Sequence, residues 1–105
     1  FDWPRIEPVW EKVEEELSEL KSAQTTGDKR RLKEEAGDLF FALVNLARFL
    51  DLDAEDSLAM ASDRFVTRFS HIEARLRQKG KSPSESSLAE MDALWEEAKR
   101  IEREP

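Results

Sequence analysis

The run from Glu34 to Leu50 reads EEAGDLFFALVNLARFL. Ten of the twelve residues from Leu39 to Leu50 are apolar, which predicts a helix buried on nearly every side. Its first turns nevertheless carry Glu34, Glu35 and Asp38. With Leu39 at the origin of a helical wheel of about 100° per residue, Leu32, Leu43, Leu46 and Leu50 cluster within roughly 40° of it. On the same wheel Glu35 falls at about −40°, Asp38 at about −100° and Asn45 at about −120°. A carboxylate at the rim of a core-facing stripe is costly unless it is paired, protonated or bound to a cation. That cost points toward function.

The rest of the composition agrees with helices. Charged and apolar residues each make up 39% of the 105, a balance that suits amphipathic helices with solvated outer faces. Three Gly, four Pro and few β-branched residues leave little material for a sheet. The net charge of −7 argues against a binder of nucleic-acid polymers, which needs a basic surface. It leaves room for a small phosphorylated ligand held through metal ions or a local basic patch. With no Cys, neither a disulfide framework nor a thiolate metal site can form. No apolar run is long and continuous enough to span a bilayer, and no signal peptide is read at the start. A start at Phe1 rather than Met suggests a piece of a longer chain. The expectation is one cytoplasmic, membrane-free domain, residues 1–105, of a size that supports a single core.

Residues 1–8, FDWPRIEP, read as an extended arm, because Pro4 and Pro8 bias the residues before them away from helix. Phe1 and Trp3 are expected to dock on the body or on a partner. A first helix is expected from about Pro8 to Ala23, with Val9, Val13, Leu17 and Leu20 as its core stripe. TTGD at Thr25–Asp28 signals a turn, with Asp28 as N-cap of a second helix ending near Leu50. So short a loop forces the two helices into an antiparallel hairpin. Asp53 caps a third helix, about Ala54 to Lys79, expected to bury Leu58, Ala61, Phe65, Phe69, Ile72 and Leu76. Gly80 closes it, KSPSES connects, and Ser87 with Glu90 fits a capping box. The fourth helix carries Leu88, Met91, Leu94, Trp95, Ala98 and Ile101. The chain reads as all-α, with four helices and no strand.

Two Glu-x-x-acid pairs carry the chemistry: Glu16 with Glu19, and Glu35 with Asp38. Residues three apart share a helix face, so each pair presents two carboxylates to one point. The hairpin sets the C-terminal half of the first helix beside the N-terminal half of the second, so the pairs can face one another. Four converging carboxylates repel unless a cation joins them. An all-oxygen set suits a hard ion, Mg²⁺ or Mn²⁺, better than zinc. Acidic i,i+3 pairs are also common on solvated helices, so pattern alone leaves a metal site and a solvated face both open. Asn45, on the side of Asp38, reads equally as a ligand contact or as a buried amide that fixes register.

A second stripe, Arg64, Arg68, His71 and Arg75, forms a basic rib on the third helix with few acids on its own face. It calls for an anionic counterpart, either a phosphate chain or an acidic helix of a partner. Trp95 reads first as a core residue.

VEEELSEL followed by KEEAGDLFFALVNLARFL resembles the EExxE…ExxD signature of the MazG nucleoside triphosphate pyrophosphohydrolases. FDWP, DRFVTRF and LAEMDALWEEAKR resemble the same family, most closely the second domain of full-length MazG proteins. The resemblance covers nearly the whole chain and is weakest around Thr25 and Ser84. It implies a four-to-five-helix, bundle-type all-α fold completed by dimerisation or higher assembly. It also implies a Mg²⁺-dependent hydrolase, with Mn²⁺ as the alternative ion. Such an enzyme converts nucleoside triphosphates to monophosphate and pyrophosphate, a reaction suited to cleaning the nucleotide pool. By resemblance Glu16, Glu19, Glu35 and Asp38 are the catalytic metal ligands. Lys12 and Glu15, then Arg31, Lys33 and Glu34, match positions lining the nucleotide site. Arg64 and Arg68 match an element that grips phosphates, Arg64 replacing the Lys expected there. Trp95 matches a residue that packs near the base. Glu15 and Glu34 are candidates for a general base, and the sequence does not choose between them and metal-assisted attack. The competing classes are a non-enzymatic helical dimerisation domain, its acidic flank and basic rib pairing across two copies, and a regulatory nucleotide binder without turnover.

Overall fold

The computed structural model describes residues 3–104. Four helices follow in order: α1 (Glu7–Thr26), α2 (Lys29–Phe49), α3 (Ala54–Gln78) and, after a 3-10 turn at Pro83–Glu85, α4 (Leu88–Arg103). Among the described residues there is no strand, and no helix is long and apolar enough to cross a membrane. The chain groups into two compact units, Phe1–Ser57 and Leu58–Pro105. The first contains the α1–α2 hairpin, the second most of α3 with α4.

The helix ends follow local chemistry. α1 starts at Glu7, with Pro8 in its first turn, and runs a turn beyond the expected Ala23. Thr25 and Thr26 stay helical by donating their hydroxyls to the Ser22 and Ala23 carbonyls, each at 2.7 Å. Gly27 then ends the helix at φ 73°, a left-handed conformation that costs a glycine nothing. Asp28 caps α2, accepting from the backbone N–H of Arg30 at 3.1 Å and of Arg31 at 3.2 Å. Asp53 does the same for α3 through Glu55 and Asp56. Ser87 caps α4 by accepting from Glu90 N–H, but the expected reciprocal bond is replaced. The Glu90 carboxylate is taken instead by Ser86, Lys81 and Lys79, while Ser82 and Glu85 make a capping pair one turn earlier.

In the first unit the buried seam is Val9, Glu16 and Ala23 of α1 against Ala42 and Leu46 of α2. It is rotated by about 60° from the expected Val9–Val13–Leu17–Leu20 stripe. Leu17 is 42% exposed, while Glu16, at 6%, occupies the seam. α2 is not buried on nearly every side, as its composition suggested. One partner helix covers one face, and Phe40, Leu43 and Val44 remain exposed. Trp3 is half-buried; Phe1 of the expected arm lies outside the described residues.

In the second unit Ile72 and Leu76 of α3 pack with Leu94 of α4, flanked by Phe69, Met91 and Trp95. Only the C-terminal half of α3 is covered there. Leu58, Ala61 and Phe65, expected in the core, are exposed, as are Leu88 and Ile101 of α4.

Candidate functional site

The seam rotation that expels Leu17 brings Glu16 against the second turn of α2. Glu16, Glu35 and Asp38 each place a carboxylate oxygen within 4.8 Å of the others. Glu16 is buried, Glu35 half-buried and Asp38 exposed, so the cluster runs from the seam to the surface. Glu19 lies outside this triad but near enough for its charge to act on Glu35. Both helices are held in place by the Gly27–Asp28 turn, which fixes the first turns of α2 through the Asp28 cap.

The electrostatics are unfavourable for an empty protein. Burial pushes the Glu35 carboxyl above the ordinary carboxylate range, and the charges of Glu19, Asp38 and Glu16 push it further. One oxygen of Glu16 and one of Glu35 are buried without any hydrogen-bond partner. Orphaned buried carboxylate oxygens are rare and costly. Lys12 compensates in part, its ammonium lying 3.0 Å from the other Glu16 oxygen and 3.6 Å from Glu15. Its bond to Glu16 raises the lysine pKa above 10.5, and the charges of Glu15 and Glu16 add to that. One lysine against four acids leaves the cluster short of positive charge. Unpartnered, convergent, all-oxygen ligands from two rigid helices fit a hard divalent cation. These residues could hold one.

Beside the acids the same hairpin forms a cavity of about 410 Å³. Lys12, Glu16 and Asp38 line it, together with Trp3, Phe41, Ala42, Asn45 and Arg48. Asn45 thus stands on the acidic side, as its wheel position implied. Trp3, Phe41 and Arg48 were not singled out as site residues. Phe41 and Arg48 share the Asp38 side of the wheel and were findable from spacing. Trp3 precedes α1, where helical spacing does not apply, and only the hairpin's topology sets it toward the later part of α2.

Other expected site residues are placed less decisively. Glu15 is exposed beside Lys12. Arg31 and Lys33 are exposed on the first turns of α2, and Glu34 is paired with Arg30 at 3.2 Å. In the second unit the basic rib has an anionic counterpart within its own chain. Arg68 makes a two-pronged contact with Glu102 of α4, at 3.0 and 2.9 Å. His71 and Arg75 share Glu97, each at 3.2 Å. Arg68, His71 and Arg75 thus have anionic partners within their own unit, while Arg64 of the same rib is exposed. The Arg68 guanidinium also lies over the Trp95 ring, 5.0 Å from its centroid, and Phe65 meets Trp95 at 5.8 Å. Trp95 is half-buried at the edge of the α3–α4 core.

A family model described as the MazG nucleotide pyrophosphohydrolase domain matches residues 6–72, more than half of the chain. The nucleoside triphosphate pyrophosphohydrolase/pyrophosphatase MazG of Thermotoga maritima is 46% identical over 99 residues, 94% of this chain and 38% of that protein. The nucleoside triphosphate pyrophosphohydrolase of Escherichia coli K12 is 39% identical over 104 residues, 97% of this chain and 40% of that protein. The YabN protein of Bacillus subtilis is 47% identical over 75 residues, 71% of this chain and 15% of its own. The chain thus spans at most about two fifths of the length of these relatives.

Proposed function

Since the chain belongs to the MazG nucleotide pyrophosphohydrolase domain family, we propose that it hydrolyses nucleoside triphosphates to monophosphate and pyrophosphate. Glu16, Glu19, Glu35 and Asp38 would hold the divalent cation, Mg²⁺ in preference to Mn²⁺. The observation that carries the reading is the convergence of Glu16, Glu35 and Asp38 within 4.8 Å, two of them with buried, unpartnered oxygens. The names of the Thermotoga and Escherichia relatives supply the substrate class.

Bound at the carboxylates, the cation supplies charge neutralisation of the triphosphate and a water made acidic near neutral pH. The chain's own residues do the rest. Glu35, whose carboxyl burial and the neighbouring acids hold above the ordinary range, would join the ligand set as the carboxylate. Lys12, paired with Glu15 and Glu16, would take up a phosphate oxygen. Glu15 or Glu34 would accept a proton from the attacking water if a side chain does so. Arg31 and Lys33 add positive charge at the start of α2. By resemblance Arg64 and Arg68 grip phosphates, which for Arg68 means exchanging Glu102, and Trp95 packs near the base. The water oxygen bonds to the α-phosphorus, the bond from that phosphorus to the bridging oxygen breaks, and pyrophosphate departs.

The exposed Phe40, Leu43 and Val44 of α2 support a homodimer or higher assembly, since contiguous apolar patches mark interfaces. The whole chain, residues 1–105, would act as one domain within it, in the cytoplasm, where nucleoside triphosphates are made and used. Hydrolysis of each nucleoside triphosphate with Mg²⁺ in ¹⁸O-water tests the reaction. Equimolar monophosphate and pyrophosphate with the label in the monophosphate are expected. Orthophosphate release, or no turnover of any triphosphate, would sink the reading.

A further inference from the structure

At about 410 Å³ the cavity of the first hairpin falls in the range of small-molecule sites, roughly 300–1,000 Å³. Its lining is graded. Glu16 and Asp38 mark one end, with Lys12 beside Glu16. Asn45 lies two turns further along α2, about 10 Å from Asp38 at 1.5 Å per residue. Trp3 precedes α1, and in an antiparallel hairpin that sets it toward the same later part of α2. Phe41 projects from α2 between the acids and Asn45. A cation and a phosphate chain account for the acids and the lysine. They leave two aromatic rings and an amide on the same cavity wall with no task.

Aromatic faces with a nearby amide are what a nucleobase requires. Stacking on such rings is available to every base, and is worth enough to change affinity about fivefold to a hundredfold. A side-chain amide carries a donor and an acceptor side by side, and so can pair with the edge of one base better than another. With Leu39 at the origin, the exposed Phe40, Leu43 and Val44 fall at roughly +40° to +140°, Phe41 at about −160° and Asn45 at about −120°, so Phe41 borders the apolar patch and Asn45 lies beyond it. A second copy seated on that patch would leave the Asn45 side open.

We propose that Trp3 and Phe41 form the seat for the nucleobase of the substrate and that Asn45 reads its edge. The inference rests on the reading that the hairpin takes a nucleoside triphosphate. It assigns base discrimination to the α1–α2 hairpin, beside the packing near the base that the resemblance gives Trp95.

The test is calorimetric binding, with Mg²⁺ present, of two probes: an α,β-imido nucleoside triphosphate of each base, and inorganic tripolyphosphate. The wild-type protein should prefer its best nucleotide to tripolyphosphate at least tenfold. Trp3→Ala should remove most of that preference while tripolyphosphate affinity holds. Asn45→Asp exchanges a donor for an acceptor and should change which base is preferred, an effect that a merely structural amide would not produce. Circular dichroism confirms that each variant folds. The assignment is overturned if wild type shows no preference for nucleotide. It also falls if both variants keep the wild-type preference and base order, or if Trp95→Ala alone abolishes them. Pyrophosphate release is scored separately. Turnover with unaltered base preference in the variants removes only the base seat, whereas base-selective binding without turnover removes only the hydrolysis.

Discussion

The two helical pairs treat the same side chain in opposite ways. In the α3–α4 pair the half-buried glutamates are matched: Glu90 by Ser86, Lys81 and Lys79, and Glu97 by His71 and Arg75. Glu102, though exposed, is matched by Arg68. The Ser86 hydroxyl and the two lysines draw the Glu90 pKa down to about 2, and Arg68 draws that of Glu102 below its usual range. In the α1–α2 pair Glu16, Glu35 and Asp38 converge, Lys12 pairs with Glu16 of the three, and Glu35 is pushed upward. One pair uses its carboxylates to hold helices together. The other brings carboxylates together that repel one another, an arrangement that a divalent cation would relieve.

The sharpest way to break this comparison is to neutralise one acid of each kind. Asp38→Asn should lower turnover by about a hundredfold or more, since even supporting residues around a metal cost 10–100-fold. In metal-free buffer the same variant should melt no lower than wild type, as it removes repulsion. Glu90→Gln should do the reverse, leaving turnover near wild type and lowering the melting point. Melting curves and initial rates for the two variants check both.

Acid and alkali should separate the pairs next. Glu90 titrates at about 2 when folded against a reference value of 4.5, so the unfolded chain binds more protons between these values. Its stabilising contribution is therefore complete above about pH 4.5 and lost as pH falls toward 2. Glu35 is raised above 4.5, so the folded chain holds the extra proton and stability falls as pH rises from about 4.5 through the raised value. Glu35→Gln should flatten the second slope and Glu90→Gln the first, read from denaturant midpoints between pH 2 and 7. Because the Glu35 proton must leave before a cation binds, metal affinity should climb over the same rise in pH.

The smallest effect is expected at Arg68. Glu102→Ala removes its partner, yet solvent-accessible ion pairs contribute little. The melting point should move by only a degree or two. If Arg68 also grips phosphate, freeing it should lower KM for the triphosphate; an unchanged KM assigns Arg68 to the α3–α4 packing alone.

What the sequence revealed follows the range of the forces involved. The caps at Asp28 and Asp53 and the stop at Gly80 were readable because each is decided within a turn of the chain. The convergence of Glu16, Glu35 and Asp38 was readable because so short a connection, Gly27–Asp28 in the structure, permits only a hairpin. The seam was misplaced because periodicity ranks Leu17 above Glu16, and a buried acid defeats a hydrophobicity pattern. The partners of the basic rib were invisible for a related reason. Glu97 and Glu102 lie 22 to 34 residues from the arginines they bind, and nothing in the local pattern links them. Trp3 lines the cavity from outside α1, so no helical periodicity marks it, again a tertiary fact.

Calorimetric titration of Mg²⁺ into the nucleotide-free protein, beside Asp38→Asn and Glu90→Gln, tests most directly whether the strained acids are a metal site. Saturable binding in wild type and Glu90→Gln, strengthening as pH rises and absent in Asp38→Asn, is the result predicted. Equal binding by all three proteins, or none by wild type at any pH, would contradict the account.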